Sequence, residues 1–157
     1  MADLVIYETG NGGDVVLKGN DFDLTEGLTN MPYLGWFGGN PGASTIGNEI
    51  DTEQRLDWWG NSLIFNNNKN IQFNSLLEDA LNNTALDSEG RIIIEEIAKQ
   101  DLKFLNTFAE VEVDASILSD NRISINVKLT EPDNLQEKEF QFIWDETKKE
   151  LIETLTL

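Results

Sequence analysis

Residues 109–118 and 122–129 alternate between apolar and polar side chains with hardly a break, and this period of two constrains the fold more than any other feature of the chain. In the first run Val111, Val113, Ala115 and Ile117 face one way and Glu110, Glu112, Asp114 and Ser116 the other. In the second, Ile123, Ile125, Val127 and Leu129 oppose Ser124, Asn126 and Lys128. Successive side chains of an extended strand point to opposite faces, so each run has one dry side and one wet side. The Ser-Asp-Asn step at 119–121 is good turn chemistry and predicts an antiparallel hairpin. After the loop "TEPDNLQEK", the run "EFQFIW" puts Phe140, Phe142 and Trp144 on one side of a third strand. A sheet solvated on one face needs apolar cover on the other.

Two stretches just upstream have the period to supply that cover. "NSLLEDALNN" (74–83) opens with Ser75 and Glu78 at capping-box spacing, and Leu76, Leu77, Ala80 and Leu81 share a helical face. After it, Asp87 or Ser88 can cap a second helix, read over residues 91–108, with Ile93, Ile94, Ile97, Ala98, Leu102 and Leu105 at helical spacing. Glu89 at its start and Lys99 and Lys103 near its end suit the helix dipole. The expected class is α+β: two central helices packed on a mainly antiparallel sheet formed largely by the C-terminal strands, over residues 69–157.

The first 68 residues read differently, being dense in glycine and short in period. "LVIYE", "DVVLK" and "DFDLTEG" are brief β-favouring segments around "TGNGGD", whose glycines permit the positive φ of tight hairpins. They predict an N-terminal β-ribbon over residues 1–27. In "LTNMPYLGWF" (28–37) a short helix conflicts with Pro32 unless the proline falls in its first turn. The segment 28–68 is otherwise loop-rich, and at 157 residues the whole chain fits one domain with a single core.

Composition excludes several functions. With 29 acidic against 11 basic residues the formal net charge is −18, so nucleic acid and anionic membrane surfaces are repelled. Cysteine and histidine are both missing, which removes thiolate nucleophiles, zinc-thiolate sites and the commonest general base. No cofactor or metal is expected: alternating acids such as Glu110, Glu112 and Asp114 lack calcium-loop spacing, and "GNGGD" and "GGNPG" match no phosphate-binding loop. "NNT" at 82–84 formally matches a glycosylation acceptor, but "MADLVIYETG" has no basic leader region, and a soluble chain without a classical export signal is expected. No pair of carboxylates announces an acid–base couple, so catalysis is not expected either.

One motif stands apart. "TEQRLDWWGN" (52–61) sets Arg55, Asp57, Trp58, Trp59, Gly60 and Asn61 in an aperiodic segment. Each tryptophan buries roughly 150–250 Å² when covered. Adjacent residues of an extended segment point opposite ways, so a single core does not easily take both rings. A core plug and a partner contact are both open, and they are compatible; tryptophan and arginine are also the residues enriched at interface hot spots.

In order, these elements are a ribbon with "DLTEG", a short helix, an arginine-bearing loop ending "DWWGN", two helices, an alternating hairpin and a strand ending "FIWDE". That order resembles the small baseplate wedge protein of Mu-like contractile-tailed phages, related to the T-even wedge protein once suspected of being a tail lysozyme and to its equivalents in contractile injection machines. The family's loop runs approximately Asp-Arg-Arg-Gly-Trp-Trp-Gly-Asp. Arg55 stands for one arginine and Trp58, Trp59 and Gly60 match, whereas Leu56 and Asp57 replace the second arginine and the glycine, and Asn61 stands for the aspartate.

The resemblance implies a virion structural protein of the tail baseplate, present in the host cytoplasm during assembly, with other wedge proteins and the tail sheath protein as partners. It also implies a role in starting sheath assembly, with the 55–61 loop as a wedge contact and the neighbourhood of the last strand, with Phe140, Phe142 and Trp144, as the edge facing the sheath. The alternatives are a cell-wall polysaccharide hydrolase, with tryptophans as sugar platforms, or a carbohydrate-binding module. Adjacent tryptophans suit either poorly, because sugar platforms are spaced along one exposed face.

Overall fold

The computed structural model describes residues 2–8, 13–39, 73–132 and 137–156. Six short strands come first: β1 (Ala2–Leu4), β2 (Ile6–Glu8), β3 (Gly13–Val15), β4 (Leu17–Lys18), β5 (Asp21–Phe22) and β6 (Leu24–Glu26). They lie in three antiparallel ladders, β1 with β6, β2 with β3 and β4 with β5. Each of three extended segments therefore changes partner midway. At the change points Val5 donates to the Asp23 carbonyl (3.0 Å), Asp23 to that of Val16 (2.9 Å) and Val16 to that of Val5 (2.9 Å). The expected ribbon is thus a pinwheel around a closed ring of backbone hydrogen bonds.

Helix α1 (Met31–Phe37) follows, with Pro32 in its first turn, where a missing amide removes no internal bond. That placement resolves the conflict between proline and helix. Trp36 on α1 is fully buried, donates through Nε1 to the Ala98 carbonyl (3.0 Å) and meets Phe142 edge-on with centroids 4.9 Å apart. One side chain thereby joins three elements.

Helix α2 spans Leu77–Asn83 and starts later than its sequence pattern predicts. The N-cap is Leu76, one residue later than expected, and the Ser75 hydroxyl accepts from the Leu77 amide (3.3 Å). Ser75 is buried, with its hydroxyl within hydrogen-bond reach of the Trp36 carbonyl and the Asp101 carboxylate. Asp101, from the far end of the next helix, accepts from the amides of Leu76 and Leu77, both at 2.9 Å. Any carboxylate oxygen at that point satisfies the orphan amides of a helix start, wherever in the chain it comes from. Burial pushes the Asp101 carboxyl above its ordinary value, although these hydrogen bonds pull it back.

Helix α3 spans Ser88–Asp101, capped by Asp87 Oδ1 on the amides of Glu89 (3.0 Å) and Gly90 (2.8 Å). Gly90 is required there, because a Cβ would stand 1.9 Å from the Ala85 carbonyl oxygen. The single helix expected over 91–108 gives way to a 3₁₀ turn at Lys103–Thr107, so Lys99 and not Lys103 is the cation in its last turn. The tighter turn keeps Leu102, Leu105 and Ala109 buried while the chain reverses into the sheet. Ile94 and Ala98 lie in the core, but Ile93, expected with them, is exposed.

Four strands complete the chain: β7 (Glu110–Ser119), β8 (Arg122–Thr130), β9 (Glu137–Asp145) and β10 (Glu150–Thr156). They form one antiparallel sheet in the order β10-β9-β8-β7. Its dry face packs under the helices, with Val113, Ala115, Ile123, Ile125, Val127, Leu129, Phe140, Phe142, Trp144 and Leu151 in the core cluster. The α+β class stands. Ile117, expected on the dry face, is exposed, two residues beyond Ala115, which Arg91 near the start of α3 reaches. Among the described residues no helix is long and apolar enough to cross a membrane.

Strand β10 is the element the sequence pattern missed, and it corrects the placement of the sheet edge. The strand carrying Phe140, Phe142 and Trp144 is neither the last nor an edge; it lies between β8 and β10. Asp145 organises the turn beyond it. The carboxylate accepts from the amides of Thr147 (3.0 Å) and Lys148 (3.1 Å) and from Arg122 Nε (3.1 Å). Loss of water alone would raise its pKa, but the Lys148 amide, Arg122 and the Thr147 amide together hold it below its ordinary value. Lys149 takes the left-handed conformation (φ 56°) that lets the chain return.

Candidate interaction surface

The sheet has two outer strands, and they are flanked differently. Beyond β10 the chain places β2, close by but with no ladder between them. Beyond β7 there is no strand among the described residues. Residues of an antiparallel strand point both backbone groups alternately toward one neighbour and then the other. Ala115 is one of those pointing outward: its amide donates to Glu95 Oε2 (3.3 Å) and its carbonyl accepts from Arg91 Nη1 (3.2 Å). By the same alternation Val111 and Val113 also point outward, and no hydrogen bond reaches those outward groups among the described residues.

The plug at Ala115 is built on α3 by helical spacing. Arg91, Glu95 and Lys99 recur every four residues, and Glu95 bridges its neighbours, to Arg91 Nη1 at 2.6 Å and Lys99 Nζ at 2.5 Å. Lys99 is the largest influence holding the Glu95 carboxyl below its ordinary 4.5, ahead of the Ala115 amide and Arg91, and these outweigh the cost of partial burial. Carboxylate and guanidinium together occupy one amide and one carbonyl, the two groups that a neighbouring strand would otherwise satisfy.

The wet face beside this edge is acidic. Glu110, Glu112 and Asp114 are exposed on β7. In the cross-strand register Glu112 stands opposite Lys128, and Lys128 opposite Glu139. Glu137, at 3.0 Å, and then Glu112 and Glu139 hold the Lys128 ammonium above its ordinary range. A row of neutral hydrogen bonds continues the face, from Gln141 to Ser124 to Asn126, whose Nδ2 donates to Asp114 (3.0 Å). On the β8 side Glu112 is answered by a cation and Asp114 by an amide, and among the described residues no salt bridge answers them on the other side.

The site residues expected from sequence fare differently. Arg55, Asp57, Trp58, Trp59, Gly60 and Asn61 lie outside the described residues. Phe140, Phe142 and Trp144 are core residues, each 2% exposed, so a partner cannot touch them without opening the fold. Trp144 Nε1 is buried with no hydrogen-bond partner among the described residues, an arrangement that costs roughly 1–3 kcal/mol. Sequence reading missed the edge groups of β7 and their plug. The signal was present as the spacing of Arg91, Glu95 and Lys99, but which strand those side chains meet is a tertiary fact. The pinwheel offers a second surface, where Leu4, Tyr7, Leu17, Phe22 and Leu24 are all exposed.

No protein-family model, no curated protein and no solved structure matches this chain.

Proposed function

We propose that the chain is a non-enzymatic assembly protein of a contractile-tail baseplate, joining the wedge to the tail sheath and helping to start sheath assembly. The observation that carries this reading is the outer edge of β7, where backbone groups of Val111 and Val113 have no partner among the described residues. An extended segment added to such an edge gains affinity from main-chain hydrogen bonds. A template for a repeating assembly needs that property. The order of elements in the sequence and the Trp-Trp-Gly loop are what make the assembly a baseplate. Partners are other wedge proteins through the 55–61 loop and the sheath protein through the sheet edge.

The test is whether the protein travels with tails. A tagged copy is expressed beside the gene cluster that carries it, tail production is induced, and purified particles are analysed by mass spectrometry. A fixed amount alongside sheath and tube proteins is expected. Intact tails that form while the protein stays in the soluble fraction would defeat the reading. Trp58→Ala and Trp59→Ala test the loop: loss of particle yield from a folded variant is expected, and full yield from both would remove the loop's role.

A further inference from the structure

We propose that the outer edge of β7 accepts an extended segment of a partner protein carrying lysine or arginine at alternate positions, and that the Arg91–Glu95 pair is the stop this segment displaces at Ala115. The inference rests on the assembly reading and names the chemistry of the partner. Its basis is the way the sheet already pairs its charges. Lys128 on β8 stands between Glu112 on β7 and Glu139 on β9, so along this row acid and cation alternate from strand to strand. A strand laid outside β7 would put its wet-face side chains opposite Glu110, Glu112 and Asp114. Opposite charges in such pairs are favourable and like charges are not.

The same rule argues against a second copy of this chain. Two β7 edges brought together would set one row of acids beside the other, between molecules that each carry a net charge of −18. The alternate, dry-side residues of the incoming segment would be apolar. Ile92 lies on α3 at helical spacing with Glu95 and Lys99, on the flank that overhangs this edge, and it is exposed; Phe108, just before β7, is exposed as well. Ile92 is placed by that spacing to cover such residues.

The stop gives the edge a reason not to pair with any passing strand, since unprotected edges invite non-specific pairing. An incoming amide and carbonyl must replace Glu95 and Arg91 at Ala115. A partner bearing cations can add a pairing to Glu95 as it does so, whereas an acidic or neutral strand takes away the Ala115 amide and leaves that carboxylate only Arg91 and Lys99.

The probe is a synthetic peptide of 9 residues, the length of β8 and of β9, alternating lysine and valine, with a glutamate–valine peptide as its match. Each is titrated into the full chain while amide hydrogen exchange is followed residue by residue. The lysine peptide is expected to slow exchange at Val111 and Val113, and the glutamate peptide to leave both unchanged. Glu112→Lys should weaken binding of the lysine peptide several-fold. Glu95→Ala, checked for an unchanged fold by circular dichroism, should bind it several-fold more tightly although it has lost a negative charge. Binding without protection of β7, or a fall in affinity in Glu95→Ala, would show simple charge attraction and overturn the proposal. Protection of β7 by self-association of the chain would overturn it too. If the protein is missing from tail particles yet the peptide selects this edge, the baseplate reading fails and the acceptor edge stands; the reverse result removes the acceptor edge alone.

Discussion

The layered C-terminal core and the N-terminal pinwheel are held together in opposite ways. In the core, side chains do the holding: Trp36, Leu77, Leu81, Ile94, Leu102 and Ile123 are among those fully out of water, and they come from α1, α2, α3 with the residue that follows it, and the sheet. In the pinwheel, backbone groups do it. Three ladders of two or three residues meet at the ring of Val5, Val16 and Asp23, while Leu17 and Leu24 stay at least 60% exposed. Asp3, Asp14, Asp21 and Asp23 each accept the amide of the residue that follows, a local bond which owes nothing to a core. Among the described residues the two regions touch where Asn30 reaches Asp3 (3.1 Å) and the Leu4 carbonyl, where Lys138 and Glu131 lie beside Gly27, and where β2 lies beside β10. Burial therefore stabilises one region, and hydrogen bonding that water can compete for stabilises the other.

If that contrast is right, Trp36→Ala has the largest effect, a loss of about 3–5 kcal/mol in urea unfolding, since it removes the side chain that joins α1, α3 and the sheet. A loss below about 1 kcal/mol would mean that the core is not what holds this half. Next comes Asp101→Ala, which leaves the Leu76 and Leu77 amides without their shared acceptor and should cost about 1–3 kcal/mol. Its pH dependence has a definite sign. The folded pKa is raised, so the stability that Asp101 contributes is present below the unfolded value and lost as pH rises through the folded one. Stability curves of wild type and Asp101→Asn should accordingly diverge toward acid.

Glu95→Gln should cost about 1 kcal/mol, with the opposite sign in pH. Because the folded pKa of Glu95 is lowered, its contribution is present above the unfolded value and disappears as pH falls through the folded one. The gap between wild type and variant should close toward acid, and a constant gap would mean that the charge of Glu95 is irrelevant to its role at Ala115. Smallest in its effect on the core is Val16→Pro, which deletes the amide that donates to Val5. Exchange should speed up at the Val5 and Asp23 amides while the urea midpoint of the core moves by less than about 0.5 kcal/mol equivalent. A large shift would show that the two regions fold as one unit.

How far the sequence revealed this arrangement depended on whether its periods were clean. The hairpin of β7 and β8 was legible up to Ile117, since one dry face forces the alternation of Val113, Ala115, Ile125 and Val127. Strand β10 was hidden by a bulge between Leu151 and Glu153, which sets two apolar residues side by side and breaks the period of two. The Ser75–Glu78 spacing promised a purely local cap, but the Ser75 hydroxyl reaches only the Leu77 amide and a remote carboxylate takes the amides of Leu76 and Leu77. As for the site, the acids of β7 were legible as a wet face, and their place at an outer edge was not.

The sequence by itself determined that α2, α3, β7, β8 and β9 form, and most of the dry face of each, because those follow from local period and the avoidance of water by apolar side chains. Only the tertiary structure decided the order of the strands, the burial of Phe140, Phe142 and Trp144 in an inner strand, and the meeting of Arg91 and Glu95 with Ala115. Those depend on contacts between residues far apart in the chain, where many pairings satisfy the same local pattern and packing selects among them.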